Sequence, residues 1–141
     1  MELIILSKDK VINFTSPLRY AVIGAVSPRD THPPLQEGYV ARVQLYFYYI
    51  DFEHSSYPTI KEQDAVDVLD FVEKYKDKVD LFVIHCNAGI SRSSGVAAAL
   101  SFIYNGDDSW VFNDRRYLPN MKVREKILSE AQKRGLLSGR I

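Results

Sequence analysis

Asp80-Leu81-Phe82-Val83-Ile84-His85 is an apolar run that does not alternate with polar residues. A strand of this kind has to be covered on both faces, which places it inside a sheet rather than at a solvated surface. A short loop follows, and then Ser93 to Tyr104, a stretch of small and apolar residues that closes at Asn105-Gly106. Asn-Gly is a good helix stop. Strand, tight loop and helix in that order constrain the chain more than any other feature, because both faces of the strand need cover that helices of an α/β domain supply.

The rest of the chain fits this plan. Glu2 to Ser7 reads as a short buried strand and Tyr20 to Ser27 as a second, ending at the turn-rich loop Pro28 to Gly38. Val40 to Tyr48 alternates and carries many aromatics, which predicts a third strand. A polar loop, Tyr49 to Pro58, leads to Thr59-Ile60-Lys61-Glu62, the signature of a capping box. Behind it Ala65, Val66, Val68, Leu69, Phe71 and Val72 recur at helical spacing, predicting a helix to about Lys76. Asn120 is placed to cap a last amphipathic helix through Val123, Ile127, Leu128 and Ala131, ending at Gly135. The expectation is one α/β domain over residues 1–141, with a mostly parallel central sheet flanked by helices.

Composition removes several classes of function. Eighteen basic and eighteen acidic side chains cancel, so no global field draws nucleic acid or an anionic membrane. Met1 to Lys8 is too short an apolar stretch for a signal peptide or a membrane span, and it lacks a basic start, so a cytoplasmic location is expected. The one cysteine, Cys86, cannot close an internal disulfide or build a multi-cysteine zinc site. No His, Asp and Glu set at ligand spacing argues for a metal, and no cofactor is expected. A lone cysteine is ordinarily a small buried hydrophobe, so its neighbours decide what it does.

Those neighbours are His85-Cys86-Asn87-Ala88-Gly89-Ile90-Ser91-Arg92-Ser93. Consecutive amides of a tight loop, backed by the positive end of a helix, form an anion site. Gly89 lets the backbone turn without a Cβ clash. Arg92, six residues past Cys86, can fold back and present a planar fork to two phosphate oxygens. Such surroundings favour a thiolate at Cys86. His85 is placed to orient the loop, and Ser93 to donate a hydrogen bond to the sulfur when it leaves.

This His-Cys-x-x-Gly-x-x-Arg-Ser string between a strand and a helix resembles the signature of the cysteine-based protein-tyrosine phosphatase superfamily. Its compactness looks most like the small dual-specificity and prokaryotic or phage-type tyrosine phosphatases. The resemblance is strong over the loop and its flanks and extends from about Leu45 to Val123, including Leu118-Pro119-Asn120. It implies Cys86 as nucleophile through a cysteinyl-phosphate. It also implies Arg92 and the amides from Asn87 through Ala88, Gly89, Ile90 and Ser91 as the phosphate cradle, with His85 and Ser93 in support. The loop follows the expected fourth strand, unlike that of low-molecular-weight phosphatases, which comes after the first. Rhodanese-like sulfurtransferases have one residue fewer before the arginine.

A thiolate does not easily expel an alkoxide or phenoxide, so an acid must protonate the leaving oxygen. The resemblance places it on a loop some thirty residues before the cysteine, where this chain has Asp51, Glu53 and His54. Asp51 is the choice, Glu53 the alternative, and His54 a surface residue that helps bind substrate at most. The loop interior, Asn87, Ala88, Ile90 and Ser91, is uncharged. Inositol-lipid phosphatases and RNA 5′-triphosphatases bearing this signature serve highly charged substrates, often with lysines in the loop. A neutral loop therefore implies a singly phosphorylated protein or peptide, phosphotyrosine first and phosphoserine or phosphothreonine second. Two other readings stand beside it: a phosphopeptide-binding module without turnover, and a phosphatase of small molecules.

Tyr49, Phe52 and Tyr57 are candidates for the wall against which a phosphotyrosine ring stacks. Lys61, Arg115, Arg116 and Lys122 either enlarge a positive rim or are ordinary solvated charges, with Asp114 available to pair locally. Asn120 serves as a helix cap or as a support behind the phosphate loop. Trp110 reads as a packing anchor, and His32 has no partner visible in the sequence.

Overall fold

The computed structural model describes residues 1–50 and 56–138. The elements in chain order are β1 (Leu3–Ser7), α1 (Lys8–Val11), β2 (Tyr20–Val26), β3 (Arg42–Tyr46), α2 (Glu62–Tyr75), β4 (Leu81–Cys86), α3 (Arg92–Asn105), α4 (Ser109–Asn113) and α5 (Met121–Lys133). The four strands form one sheet in the order β1-β4-β2-β3, and every pairing is parallel.

The unbroken apolar run forms β4, an interior strand hydrogen-bonded to β1 on one side and β2 on the other. All six of its residues are buried. Its side chains alternate between two cores, as strand geometry requires. Phe82 and Ile84 join Ala21, Ile23 and Leu45 beneath α2, α3 and α5, where Leu69, Leu100 and Ile127 complete the larger core. Leu81 and Val83 face the other way, with Val11, Tyr20 and Val22 in a smaller core. That second face is covered by α1 and by the segments carrying Phe14, Leu35 and Tyr39, so the long helices lie on one face only.

Three local expectations are adjusted. The third strand spans Arg42–Tyr46, shorter than Val40 to Tyr48, because Tyr48 turns its amide to Pro58 instead of continuing the ladder. The helix expected behind a Thr59–Glu62 box starts at Glu62 with Lys61 as its cap residue. The Asp64 carboxylate accepts the Lys61 amide at 2.8 Å, so the reciprocal bond falls two residues later than the sequence signature places it, and Thr59 is buried. The short helices α1 and α4, which the sequence reading lacked, have too few turns to leave a periodic signal. Gly106, in the left-handed conformation at φ 76°, ends α3 as expected. Among the described residues, no helix is long and apolar enough to cross a membrane.

Candidate active site

In a parallel sheet the C-terminal ends of neighbouring strands share one edge, and a strand there that runs directly into a helix leaves its loop at that edge. Cys86 is the last residue of β4, and Arg92 is the first of α3. Ser27, just past β2, and Phe47, just past β3, meet the loop from beside it.

Cys86 is 2% exposed, and its Sγ lies 3.0 Å from the hydroxyl oxygen of Ser93. The intervening loop is held by its carbonyl groups. The carbonyl of Asn87 accepts the Lys8 amide at 3.0 Å, that of Ile90 accepts Leu118 at 3.0 Å, and that of Ser91 accepts Asn120 at 3.0 Å and Gly95 at 2.9 Å. The Ser94 hydroxyl also donates to the carbonyls of Ile90 and Ser91. With these carbonyls engaged outside the loop, the amides of Ala88, Gly89, Ile90 and Ser91 donate to no backbone carbonyl among the described residues. They are the donors an anion in the loop would meet. Gly89 is required twice over: its φ is 72°, and a Cβ there would lie 2.8 Å from the backbone nitrogen of Ser7.

Arg92 is 5% exposed and fixed from behind, its Nη1 donating to the Ser27 hydroxyl at 3.0 Å and to the Phe47 carbonyl at 2.9 Å. Burial draws its pKa below the ordinary guanidinium value, while the nearby Cys86 and Asp30 oppose that shift. Asp30 also accepts the side-chain amide of Asn87 at 2.8 Å, tying the loop's first variable residue to the turn after β2. Cys86, Asn87, Ala88, Ile90, Ser91 and Arg92 line one pocket of about 370 Å³, closed on its flanks by Ser27 and Tyr49.

Asp51, Phe52, Glu53 and His54 lie outside the described residues. The chain just before them is anchored. Asn120 caps α5, its Oδ1 accepting the Val123 amide at 3.1 Å, and its Nδ2 donates to the Tyr49 carbonyl at 2.6 Å. Asn120 therefore fills both roles the sequence left open. Tyr49 reaches the pocket wall, whereas Tyr57 stacks edge-on against Tyr48 at 5.2 Å.

The His85 ring faces away from the pocket. Cys86 meets Ser93 at the start of α3, whereas the preceding residue's ring points to the opposite face of the sheet. His85 is fully buried beside Gly24, its ring centroid 5.9 Å from that of His32. Neither ring nitrogen has a hydrogen-bond partner among the described residues. Burial above all, then the fields of His32 and Arg42, pushes its pKa down to about 4. The imidazole is neutral near pH 7 and lends no positive charge to the neighbouring sulfur.

Other candidates are placed as follows. Arg116 pairs with Asp114 at 2.8 Å, the local pairing the sequence allowed. Trp110 is 39% exposed and donates its indole N–H to Ser101 at 2.8 Å, so it anchors less by burial than expected. His32 donates from Nε2 to the Leu45 carbonyl at 2.9 Å. Sequence reasoning missed Ser27 and Asp30. The available signal was their place at the end of a strand adjoining β4 in a parallel sheet.

No protein-family model matches the chain, and no curated protein matches it either. Solved structures do. The human tyrosine phosphatase-like serine/threonine/tyrosine-interacting protein superposes with a TM-score of 0.67 at 15% identity, covering 94% of this chain and 92% of that one. Human DUSP28 gives a TM-score of 0.62 at 14% identity, covering 96% and 95%. A mouse putative dual specificity phosphatase, solved with zinc tungstate, gives 0.56 at 16% identity, covering 82% and 74%. At these identities the likeness is one of fold alone, shared with these phosphatase and phosphatase-like structures.

Proposed function

We propose that this chain is a phosphoric monoester hydrolase that works through a cysteinyl-phosphate on Cys86. The observation that carries the reading is the placement of Cys86 Sγ, 3.0 Å from Ser93 Oγ, in a pocket that also holds the guanidinium of Arg92. A nucleophile, a fixed cation and a loop of uncommitted amides converge there, as phosphoryl transfer demands.

In the first step the thiolate attacks phosphorus, an S–P bond forms, and the P–O bond to the leaving group breaks. Asp51 gives that oxygen its proton, with Glu53 as the alternative donor. Arg92 and the loop amides hold the equatorial oxygens. In the second step water attacks phosphorus and loses a proton to the same carboxylate. The S–P bond breaks and the electron pair returns to sulfur, where the Ser93 hydroxyl stabilises it. The uncharged loop interior and the exposed ring of Tyr49 favour phosphotyrosine, with phosphoserine and phosphothreonine second. The substrate is a phosphorylated protein or peptide.

The test is hydrolysis of p-nitrophenyl phosphate without added metal ions. Wild-type turnover should be blocked by vanadate and absent in Cys86→Ser; normal turnover by that variant sinks the mechanism. Asp51→Asn should slow turnover by roughly 10²–10⁴-fold while leaving binding intact, and if Glu53→Gln does so instead, the acid is Glu53.

One observation favours a second reading. A fold neighbour is itself described as phosphatase-like and interacting. Binding of phosphopeptides without phosphate release would assign this chain to that mode.

A further inference from the structure

Ser27-Pro28-Arg29-Asp30 is a tight turn just past β2, closed by the Asp30 amide on the Ser27 carbonyl at 2.8 Å, with proline where its fixed φ suits the turn. Its two ends hold the two ends of the phosphate loop. The Ser27 hydroxyl accepts Nη1 of Arg92 at 3.0 Å, and Oδ2 of Asp30 accepts Nδ2 of Asn87 at 2.8 Å. Because β2 and β4 pair in parallel, the turn and the loop leave the sheet at the same edge.

A neutral acceptor at position 30 would not do all that Asp30 does. Oδ1 of Asn87 is buried and accepts from no described residue, yet the amide still presents its nitrogen to the turn. A carboxylate imposes that choice, because it attracts the N–H and repels the oxygen. The same charge is felt at Arg92, where burial lowers the guanidinium pKa most and the fields of Cys86 and Asp30 oppose that fall. Among the described residues Asp30 enters no ion pair, so no paired cation cancels its field. Asn87 and Arg92 line the pocket and Asp30 does not, so Asp30 acts on a bound group through those two side chains and through its charge.

We infer that Asp30 is a positioning residue that fixes the Asn87 amide and offsets the charge of Arg92, so that the pocket releases phosphate readily and disfavours more highly charged groups. The inference rests on the phosphoester reading above and concerns the same pocket. A loop of amides with a fixed guanidinium grips the phosphate product as well as the ester, and that grip slows release without speeding the chemistry. A carboxylate held behind Asn87 weakens it for both. The penalty grows with the charge of the ligand, so a single phosphate is tolerated and a pyrophosphate is not.

The experiment measures inorganic phosphate and pyrophosphate binding by calorimetry on Cys86→Ser protein, with and without a second substitution at position 30. Asp30→Asn keeps an oxygen to accept from Asn87 and removes only the charge. It should tighten phosphate binding by about three- to tenfold and pyrophosphate binding by a larger factor, as the loss of one unit charge beside a partly solvated site requires. Asp30→Ser, a second neutral acceptor, should do the same and serves where Asp30→Asn does not fold. Asp30→Glu, which keeps the charge, should stay within about twofold of the parent. Asp77→Asn, exposed just past α2, should change neither affinity. With Cys86 intact, phosphate should inhibit p-nitrophenyl phosphate hydrolysis more strongly in Asp30→Asn by the same factor. Unchanged or weaker phosphate binding in the folded neutral variants, or an equal gain for phosphate and pyrophosphate, overturns the role of Asp30. The expected gains in binding with no hydrolysis by wild-type protein keep that role and overturn the hydrolase reading, so the two failures are distinct.

Discussion

The side-chain amide of Asn120 donates to the carbonyl oxygen of Tyr49 at 2.6 Å, joining the N-terminus of α5 to the chain just before Asp51. The same residue caps α5 and gives its backbone N–H to Ser91 of the phosphate loop. One residue thus sets the phosphate loop, through its backbone, and the root of the expected acid-bearing segment, through its side chain, against a common helix. Asn120→Asp separates these roles. It keeps an oxygen to accept the Val123 amide and adds a negative charge at a helix start, but removes the donor to Tyr49. Unfolding free energy should stay within about 1 kcal/mol of wild type, while turnover falls by about tenfold. Asn120→Ala should lose both cap and bond and cost about 2 kcal/mol in denaturant unfolding. Unchanged turnover in Asn120→Asp would show that the Tyr49 bond is only structural.

Ser93→Ala tests the 3.0 Å contact between its hydroxyl and the Cys86 sulfur. A hydrogen bond to a charged group is worth roughly 1.5–3 kcal/mol, which here stabilises sulfur as it leaves phosphorus. Breakdown of the phosphoenzyme should slow by roughly ten- to a hundredfold, with less effect on its formation. Rapid-quench kinetics with p-nitrophenyl phosphate should then show a burst of nitrophenol larger than in wild type. Equal slowing of burst and steady state would count against this role for Ser93.

These two sites differ in how readable they were. The phosphate loop was legible because nucleophile, glycine, arginine and hydroxyl all fall in one short string between a strand and a helix. The unbroken run of β4 was legible because burial on both faces leaves its mark on every residue. Ser27 and Asp30 were not, because only the parallel register brings them beside the loop: β2 pairs with β4 from Tyr20↔Leu81 to Gly24↔His85. No local pattern encodes that pairing. The direction of the His85 ring has a local cause instead: strand alternation turns it to the face opposite Cys86.

That orientation has a pH consequence. The folded protein holds His85 neutral down to about pH 4, whereas the unfolded chain takes up its proton near the ordinary value of about 6.5. Between those values the unfolded state binds more protons, so stability is intact above about pH 6.5 and is lost as pH falls toward 4. A shift of this size corresponds to a loss on the order of 3 kcal/mol across that window. Denaturant titrations at a series of pH values should show this slope, and the His85 ring signals in NMR should remain those of a neutral imidazole at pH 5.5. A ring that titrates near pH 6.5 would mean that the site is wetter than its burial implies.

Gly24 and His85 are the final pair, and they predict a coupling of unusual sign. A Cβ on residue 24 would lie 2.3 Å from Nε2 of His85 and 3.0 Å from Nδ1 of His32, both held in the packed space beside β2. Gly24→Ala therefore forces the imidazole aside and should destabilise the protein by about 1–3 kcal/mol through overpacking. His85→Ala alone leaves a cavity in the same place and should cost about 2 kcal/mol or more. In the double variant the new methyl occupies part of the space the ring gives up. The combined cost should be at least about 1 kcal/mol smaller than the sum of the single costs, a coupling expected only of residues in direct contact. Denaturant unfolding of the four proteins measures it. Strict additivity would mean that residue 24 and the imidazole do not meet, and that His85 is held by something other than the glycine's missing side chain.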